Sequence, residues 1–428
     1  MQAPMDTRQG RAGRRGRISW ALYDWANSSF FAVILTFVFP AYFARQIAAD
    51  ETVGTTLWGN TVGLAGLVIA LAAPILGAIA DQSGRRKPWL AVLTLGCVLA
   101  TATLWWVRPG ADNVVLFAML VAGTATVASE LAFVFYNAML PSLTTPDRLG
   151  RWSGWAWGLG YAGGIGCLVI ALFGFVTADA WFPLPRGELE HVRSTFVLVA
   201  AWYAVFALPL FLFTPDAPSQ GIAPGRAIRL GLQQLWGSIR RVRRYAVIAR
   251  FLIARMFFID GLATIFAFGG VYAAGTFAMD EEQVLLFGIA LNVTSGVGAV
   301  SFAWIDDWLG SKRTILLSLL GLIVFGTMLL LVESVALFWT FGMILGIFVG
   351  PVQAAGRSWL ARSAPEHLRN EMFGLFAFSG KATAFVGPLL VGWTTALFDS
   401  QRAGMSVIFV LLGIGFVLML SVPEAEKQ

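Results

Sequence analysis

Asp24, Glu130, Arg255, Asp260, Arg357 and Lys381 share an unusual setting: each interrupts an apolar run long enough, at roughly 20 residues, to cross a bilayer. An ionisable side chain inside such a run costs about 3 kcal/mol or more unless it faces protein or water. These positions therefore read as a solute or ion pathway, or as internal pairs.

Asp24 lies about two turns into the first run, with Asn27 and Ser28 one turn on. A carboxylate, an amide and a hydroxyl on one face suit a substrate amine or a gate. The alternative is a structural pair between Asp24 and a base such as Arg357. Glu130 sits mid-run among Ala128, Ser129, Leu131 and Ala132. A lone carboxylate there suits a group that takes and releases a proton, and the competing arrangement is an ion pair with Lys381. Asp260 and Lys381 lie too deep for easy snorkelling. Lys381 offers a cation to a substrate carboxylate and Asp260 an anion to an amine or a proton, so a zwitterion such as an amino acid would satisfy both. Arg255 and Arg357 lie nearer their run ends, where reaching out to headgroups is the rival explanation, and Arg250 reads as a flank.

Other chemistries find little support. His191 and His367 fall in loops, no Ser, His and acid set is placed for nucleophilic catalysis, and no GxxxxGK[ST] loop appears. Cys97 and Cys167 both fall within apolar runs and make neither a disulfide framework nor a zinc spacing. Neither an enzyme nor a bound metal or cofactor is expected, and coupling would come from an ion or solute gradient.

The elements that hold these residues are membrane spans. The chain of 428 residues is 57% hydrophobic and only 13% charged, against about 25% charged in soluble domains. Twelve runs are read near 18–45, 57–80, 88–107, 113–140, 152–177, 194–213, 247–275, 283–304, 313–332, 335–361, 372–398 and 404–422. The first run is too long for a signal-peptide core and is read as a retained helix. With the N-terminus inside, the outer loops carry only Arg45, Arg108, Arg186, Arg193 and Arg402. The inner side takes the N-terminal arginines from Arg8 to Arg17, the cluster Arg85, Arg86 and Lys87, the linker bases Arg226 to Arg244, and Lys427. Both termini are thus placed in the cytoplasm, and the net charge of +6 is assigned to membrane orientation instead of nucleic acid.

Between runs 6 and 7, Thr214 to Pro224 (TPDAPSQGIAP) cannot continue a helix. Beyond it Ile228, Leu232, Leu235, Ile239 and Val242 recur at helical spacing with arginines mostly on other faces, as in an interfacial helix drawn to anionic lipid. The expected organisation is a basic tail at 1–17, a six-helix bundle at 18–213, a linker at 214–246, a second bundle at 247–422 and a tail at 423–428. The halves echo each other: Pro146-Asp147-Arg148-Leu149 matches Pro365-Glu366-His367-Leu368, and Asp81 to Arg86 matches Asp307 to Arg313. Such parallel repeats around a central cavity are a transporter architecture. Repeated glycines, Gly342, Gly346 and Gly350 or Gly154 and Gly158, are read as close helix packing.

The segment Gly77-Ala-Ile-Ala-Asp81-Gln-Ser-Gly84-Arg85-Arg86-Lys87 resembles the GxxxDxxGRR signature between helices 2 and 3 of the major facilitator superfamily, and Asp307 to Arg313, with Gly310, resembles its second copy. The resemblance implies an all-α fold of twelve spans in two pseudo-symmetric bundles, a cavity lined by helices 1, 4, 7 and 10, and a conformational latch at Gly77, Asp81, Gly84, Arg85, Arg86, Asp307 and Gly310. Four further segments, around Asp24-Trp25-Ala26-Asn27, Gly158 to Gly164, Asp260 to Gly270 and Phe378 to Pro388, are similar to the vacuole-effluxer-like branch, whose fungal members export amino acids from the vacuole.

The reading is a secondary transporter of a small polar metabolite, an amino acid first, working by alternating access in a bacterial inner membrane. Its candidate substrate or proton pathway is Asp24, Asn27, Glu130, Asp260, Arg357 and Lys381. A proton is the candidate coupling ion, and membrane lipids are the surroundings. A sugar, drug or amphipathic-lipid carrier, and a receptor or scaffold without turnover, are the alternatives.

Overall fold

In a computed structural model, residues 12–49, 51–177, 179–222, 224–240, 245–279, 281–384 and 386–425 are described. The expected tail residues 1–11, the linker end at 241–244, Phe385 and Lys427 lie outside them. Among the described residues the chain is helical throughout, without strands, and twelve helices are long and apolar enough to span a membrane. They are α1 (Arg14–Ile47), α2 (Leu57–Ser83), α3 (Lys87–Trp106), α4 (Val114–Leu143), α5 (Pro146–Val176) and α6 (Glu190–Phe213). The second six are α7 (Ala246–Gly270), α8 (Leu286–Leu309), α9 (Ser311–Leu331), α10 (Val335–Ser363), α11 (Glu366–Thr395) and α12 (Gln401–Leu420).

Hydropathy placed these spans to within a few residues and missed most at one side. α5, α8 and α11 run about one turn beyond their apolar stretches because the polar residues there have partners in the other half, described below. At the N-terminus α1 already begins at Arg14, so the basic tail is shorter than the sequence suggested. Arg15 stacks on Phe213 and Arg17 on Trp152, which lets both arginines sit on the helix.

Several spans are not straight. α1 passes through wide turns at Phe30–Phe37 and Phe43–Ile47, between which Pro40 starts a new helical turn. A proline donates no N–H, so the regular ladder is already interrupted there. α5 keeps α geometry through Gly160, Gly163 and Gly164 and widens only at Leu172–Val176. α11 breaks between Lys381 and Val386, giving segments Arg369–Lys381 and Val386–Phe398.

The halves repeat each other atom for atom at several points. Lys87 Nζ, at the start of α3, donates to Phe211 O at the end of α6 at 2.9 Å, and Lys312 Nζ, at the start of α9, donates to Leu420 O at the end of α12 at 2.9 Å. Asp216 accepts from the backbone N–H of Lys87 at 3.1 Å, and Glu424 accepts from that of Lys312 at 2.9 Å. Each acid thereby caps a helix N-terminus, where unpaired N–H groups and the helix dipole favour an anion.

The bundles meet through α2 against α11 and α5 against α8. Small residues set the approach. A Cβ at Gly77 would strike the backbone of Asn370, and one at Gly154 would strike Ala299 and Ala303 of α8. Gly342, Gly346 and Gly350 serve the same purpose inside the second half, facing Phe287, Leu291 and Ser295. The linker forms a helix at Pro224–Arg240 that packs on α2. Ile228, Leu232 and Trp236 remain exposed on it, as do Arg226 and Arg229.

Candidate functional site: a central cavity

Between the halves lies a cavity of about 870 Å³. Besides α1, α4, α7 and α10, its walls draw on α5, α8 and α11. Its lining runs from the exposed Arg45, on the side remote from the termini, to the buried Asp24, Asn137 and Arg357. The cavity is thus closed on the terminus side and open on the other.

The floor is a buried ion pair that crosses the halves. Arg357 Nη1 lies 3.1 Å from Asp24 Oδ2, and both side chains are essentially inaccessible. Every other polar contact of the guanidinium is also with the first half: Nε donates to Ser153 Oγ at 2.8 Å, Nη2 to Ser153 O at 2.5 Å and Nη1 to Asn137 Oδ1 at 3.2 Å. Tyr136 donates to Asp24 at 2.8 Å, and the rings of Trp20, Tyr136 and Trp157 surround the guanidinium. A buried pair is favourable only when its remaining donors and acceptors are satisfied, and this set supplies them. Asn27 sits one turn along and accepts from Ser129 Oγ at 2.7 Å, fixing α1 to α4.

Higher in the cavity a second pair also joins the halves. Lys381 Nζ is 2.7 Å from Glu130 Oε1, with side-chain exposures of 31% and 16%, so this pair, unlike the floor, is open to a ligand. Arg255 enters from α7. Its Nη1 donates to Phe376 O at 2.7 Å and Ser379 Oγ at 2.8 Å, and its Cζ lies 3.4 Å from the Phe376 ring centroid.

Beneath the floor stand two related contacts. Asp81 of α2 accepts from Asn370 N at 3.0 Å, Asn370 Nδ2 at 2.6 Å and Glu371 N at 2.8 Å, capping the first helical turn of α11. Asp307 of α8 accepts from Gly150 N at 2.8 Å and Arg151 N at 3.1 Å, doing the same for α5. Each half therefore caps a helix of the other. Arg86 Nε donates to Asn370 Oδ1 at 3.1 Å, and its burial lowers the guanidinium pKa, opposed by Asp81 and Asp216. Arg362 ties Asp306 at 2.8 Å and Asp307 at 3.1 Å. Gln234 of the linker helix bonds to Gln82 of α2 and donates to Glu371 Oε2 at 2.7 Å, so the linker bridges the same junction.

The sequence profile of the family described as "Vacuole effluxer Atg22 like" matches residues 55–428. The chain belongs to the Atg22-like vacuole effluxer family. This Atg22-like chain is 27% identical to the uncharacterized MFS-type transporter YxiO of Bacillus subtilis, over 95% of its own length and 94% of that protein. It is 24% identical to autophagy-related protein 22-1 of Penicillium rubens, over 64% of its length and 49% of the fungal protein. Among solved structures it is similar to the human organic anion transporter MFSD10 (TM-score 0.72, 17% identity, 95% and 99% of the two chains). It is likewise similar to the proton:xylose symporter XylE (TM-score 0.74, 15% identity, 97% and 96%). The major facilitator fold, a transporter and not an enzyme, is thereby established for this family member.

Of the expected pathway residues, Asp24, Asn27, Glu130, Arg357 and Lys381 line the cavity of this Atg22-like transporter. Asp260 does not. It is buried behind the wall, where its Oδ2 accepts from Gly387 N at 3.1 Å and caps the second segment of α11. The break in α11 creates that helix N-terminus, and hydropathy gave no sign of it. Among the latch residues Gly77, Asp81, Arg86 and Asp307 lie at the junction. Arg85 is exposed, Gly84 turns the chain out of α2 with a positive φ of 79°, and Gly310, with φ 96°, lies against Glu424. Asn137, Tyr136 and Ser153 were not anticipated, whereas Arg255 was weighed as a cavity base against a headgroup contact. Asn137 was discoverable, since it follows Glu130 by two helical turns and so shares its face.

Proposed function

We propose that this protein is a secondary active transporter of a small polar metabolite, an amino acid first, and that Glu130 carries a coupling proton. The supporting observation is the Glu130–Lys381 pair, which spans the halves at 2.7 Å inside the cavity and remains partly exposed. A substrate carboxylate that draws Lys381 away leaves Glu130 in poorly solvated surroundings, where an unpaired anion is costly. A substrate ammonium or a proton then neutralises it. Sign complementarity of this kind favours a zwitterion over a neutral sugar.

Alternating access follows from the positions of the charges. Opening the terminus side requires Asp24 to part from Arg357 and both helix caps to release, while the opposite side closes over the ligand. The basic loops on the terminus side support a reading with both termini in the cytoplasm, taken here as that of a bacterium bounded by its inner membrane. Replacing Glu130 by Gln should abolish accumulation driven by a pH gradient in proteoliposomes while leaving membrane insertion and ligand exchange intact. Unchanged accumulation by Glu130→Gln would remove the proton from this assignment, and failure of every amino acid to exchange would remove the substrate class.

A further inference from the structure

The charges that reach the cavity interior do not cancel. Asp24 is matched by Arg357 and Glu130 by Lys381, each pair in direct contact. Arg255 remains. Among the described residues no carboxylate lies within 4.0 Å of its guanidinium, and its hydrogen bonds are to two neutral acceptors on α11.

Those bonds use only Nη1, and the residue lines the cavity. Nε and Nη2 donate to none of the described residues and are not fully enclosed. Gly380 gives the bonded Nη1 its room, because a Cβ there would lie 3.1 Å from it. The guanidinium is also held in place: its plane rests on the Phe376 ring, and Nη1 is fixed by the carbonyl of Phe376. A pre-oriented guanidinium with a free edge matches the two oxygens of a carboxylate, which a lysine ammonium does not do bidentately. Around it the walls are largely apolar and aromatic, including Phe31, Phe133, Trp157, Phe266 and Phe287.

We propose that Arg255 is the anion anchor of the cavity, and that the ligand is an organic carboxylate with an apolar or aromatic body. This rests on the transport reading above but not on the ligand having an amine. Lys381, the residue after Gly380, then stands beside the anchor and is drawn from Glu130 by the carboxylate that Arg255 holds. An arginine serving only as a strut between α7 and α11 would need no unbonded Nε and Nη2 at the cavity wall.

Three probes of one shape test the idea on the purified full chain, with affinity read by calorimetry: L-phenylalanine, 3-phenylpropanoate, which lacks the amine, and L-phenylalaninamide, which lacks the carboxylate. 3-Phenylpropanoate should bind and the amide should not. Arg255→Gln should weaken carboxylate binding by about tenfold or more, the scale of a lost charge-assisted fork. Arg255→Lys should recover part of it. If Arg255→Gln does not fold, as judged by gel filtration and melting, Arg255→Lys is read against wild type and should show a smaller loss in the same direction. Equal carboxylate binding by wild type and Arg255 variants overturns the proposal, as does amide binding that matches phenylalanine, or silence from all three probes with folded wild type. Arg255-dependent binding of 3-phenylpropanoate with none of phenylalanine supports the anchor and removes the amino-acid reading. Phenylalanine binding that ignores Arg255 but is lost in Lys381→Ala does the reverse.

Discussion

At the scale of single residues, the two cross-half ion pairs have opposite characters because they differ in exposure. Asp24 and Arg357 are sealed, and their partners use up the available donors. Removing one member of such a pair leaves an uncompensated charge and costs about 3–5 kcal/mol. Asp24→Asn is therefore expected to lower the melting temperature of the purified protein clearly, and more than Glu130→Gln, whose site is open to water. A comparable melting temperature for both variants would show that the floor is not the better-sealed pair. Tyr136→Phe removes only the hydroxyl that donates to Asp24, so a smaller loss of about 1.5–3 kcal/mol is expected in the same measurement.

At the scale of elements, the junction beneath the floor is built from helix termini. Asp81 and Asp307 each accept from two backbone N–H groups at the start of a helix in the opposite half, so a side chain of one bundle completes the secondary structure of the other. Loss of such a cap costs about 0.5–2 kcal/mol, which is enough to shift a balanced two-state equilibrium by up to an order of magnitude or more. Asp81→Asn together with Asp307→Asn should raise the rate at which a cysteine placed at Thr144, buried on the terminus side with a hydroxyl that bonds to no described residue, is labelled by a membrane-impermeant thiol reagent from that side. The native Cys97 and Cys167 are buried, so background labelling is low. A labelling rate unchanged from that of the Thr144→Cys protein alone would mean that the caps do not hold this state. The linker helix belongs to the same device, because Gln234 reaches both Gln82 and Glu371, and Gln234→Ala should act in the same direction with a smaller effect.

At the scale of the whole molecule, the side-chain caps that help to close one side lie at helix ends, beside glycine packing of α2 on α11 and α5 on α8, whereas the spans within each bundle are joined mainly by apolar packing. That division suits two bodies that rock without repacking internally, since a tightly packed core resists continuous deformation. A bulky residue at Gly77, where even a Cβ meets the Asn370 backbone, should prevent closure of the terminus side and arrest transport without preventing folding of either half. Gly77→Val would then show ligand-exchange rates near background and a normal elution volume. Normal exchange would mean that α2 and α11 need not approach so closely.

The sequence by itself determined the twelve spans, the two-bundle architecture, the family and the presence of charge in the membrane, because apolar run length and short local motifs are properties of neighbouring residues. Glu130, Lys381, Asp24 and Arg357 were legible as candidates for the same reason, since a charge in an apolar run stands out wherever it lies. Their pairing was not legible: Asp24 and Arg357 are separated by 333 residues, and only the packing of α1 and α10 on α5 brings them together. Asp260 shows the limit most clearly. In the sequence it is indistinguishable from a pathway acid, and only the break in α11, which places Gly387 N–H against it, makes it a helix cap. Arg255 is the converse, because its depth suggested a headgroup contact until Ser379 and Phe376 of α11 fixed it at the cavity wall. Tertiary structure decided these roles because a charged side chain's task is set by which partners surround it, and those partners come from distant parts of the chain.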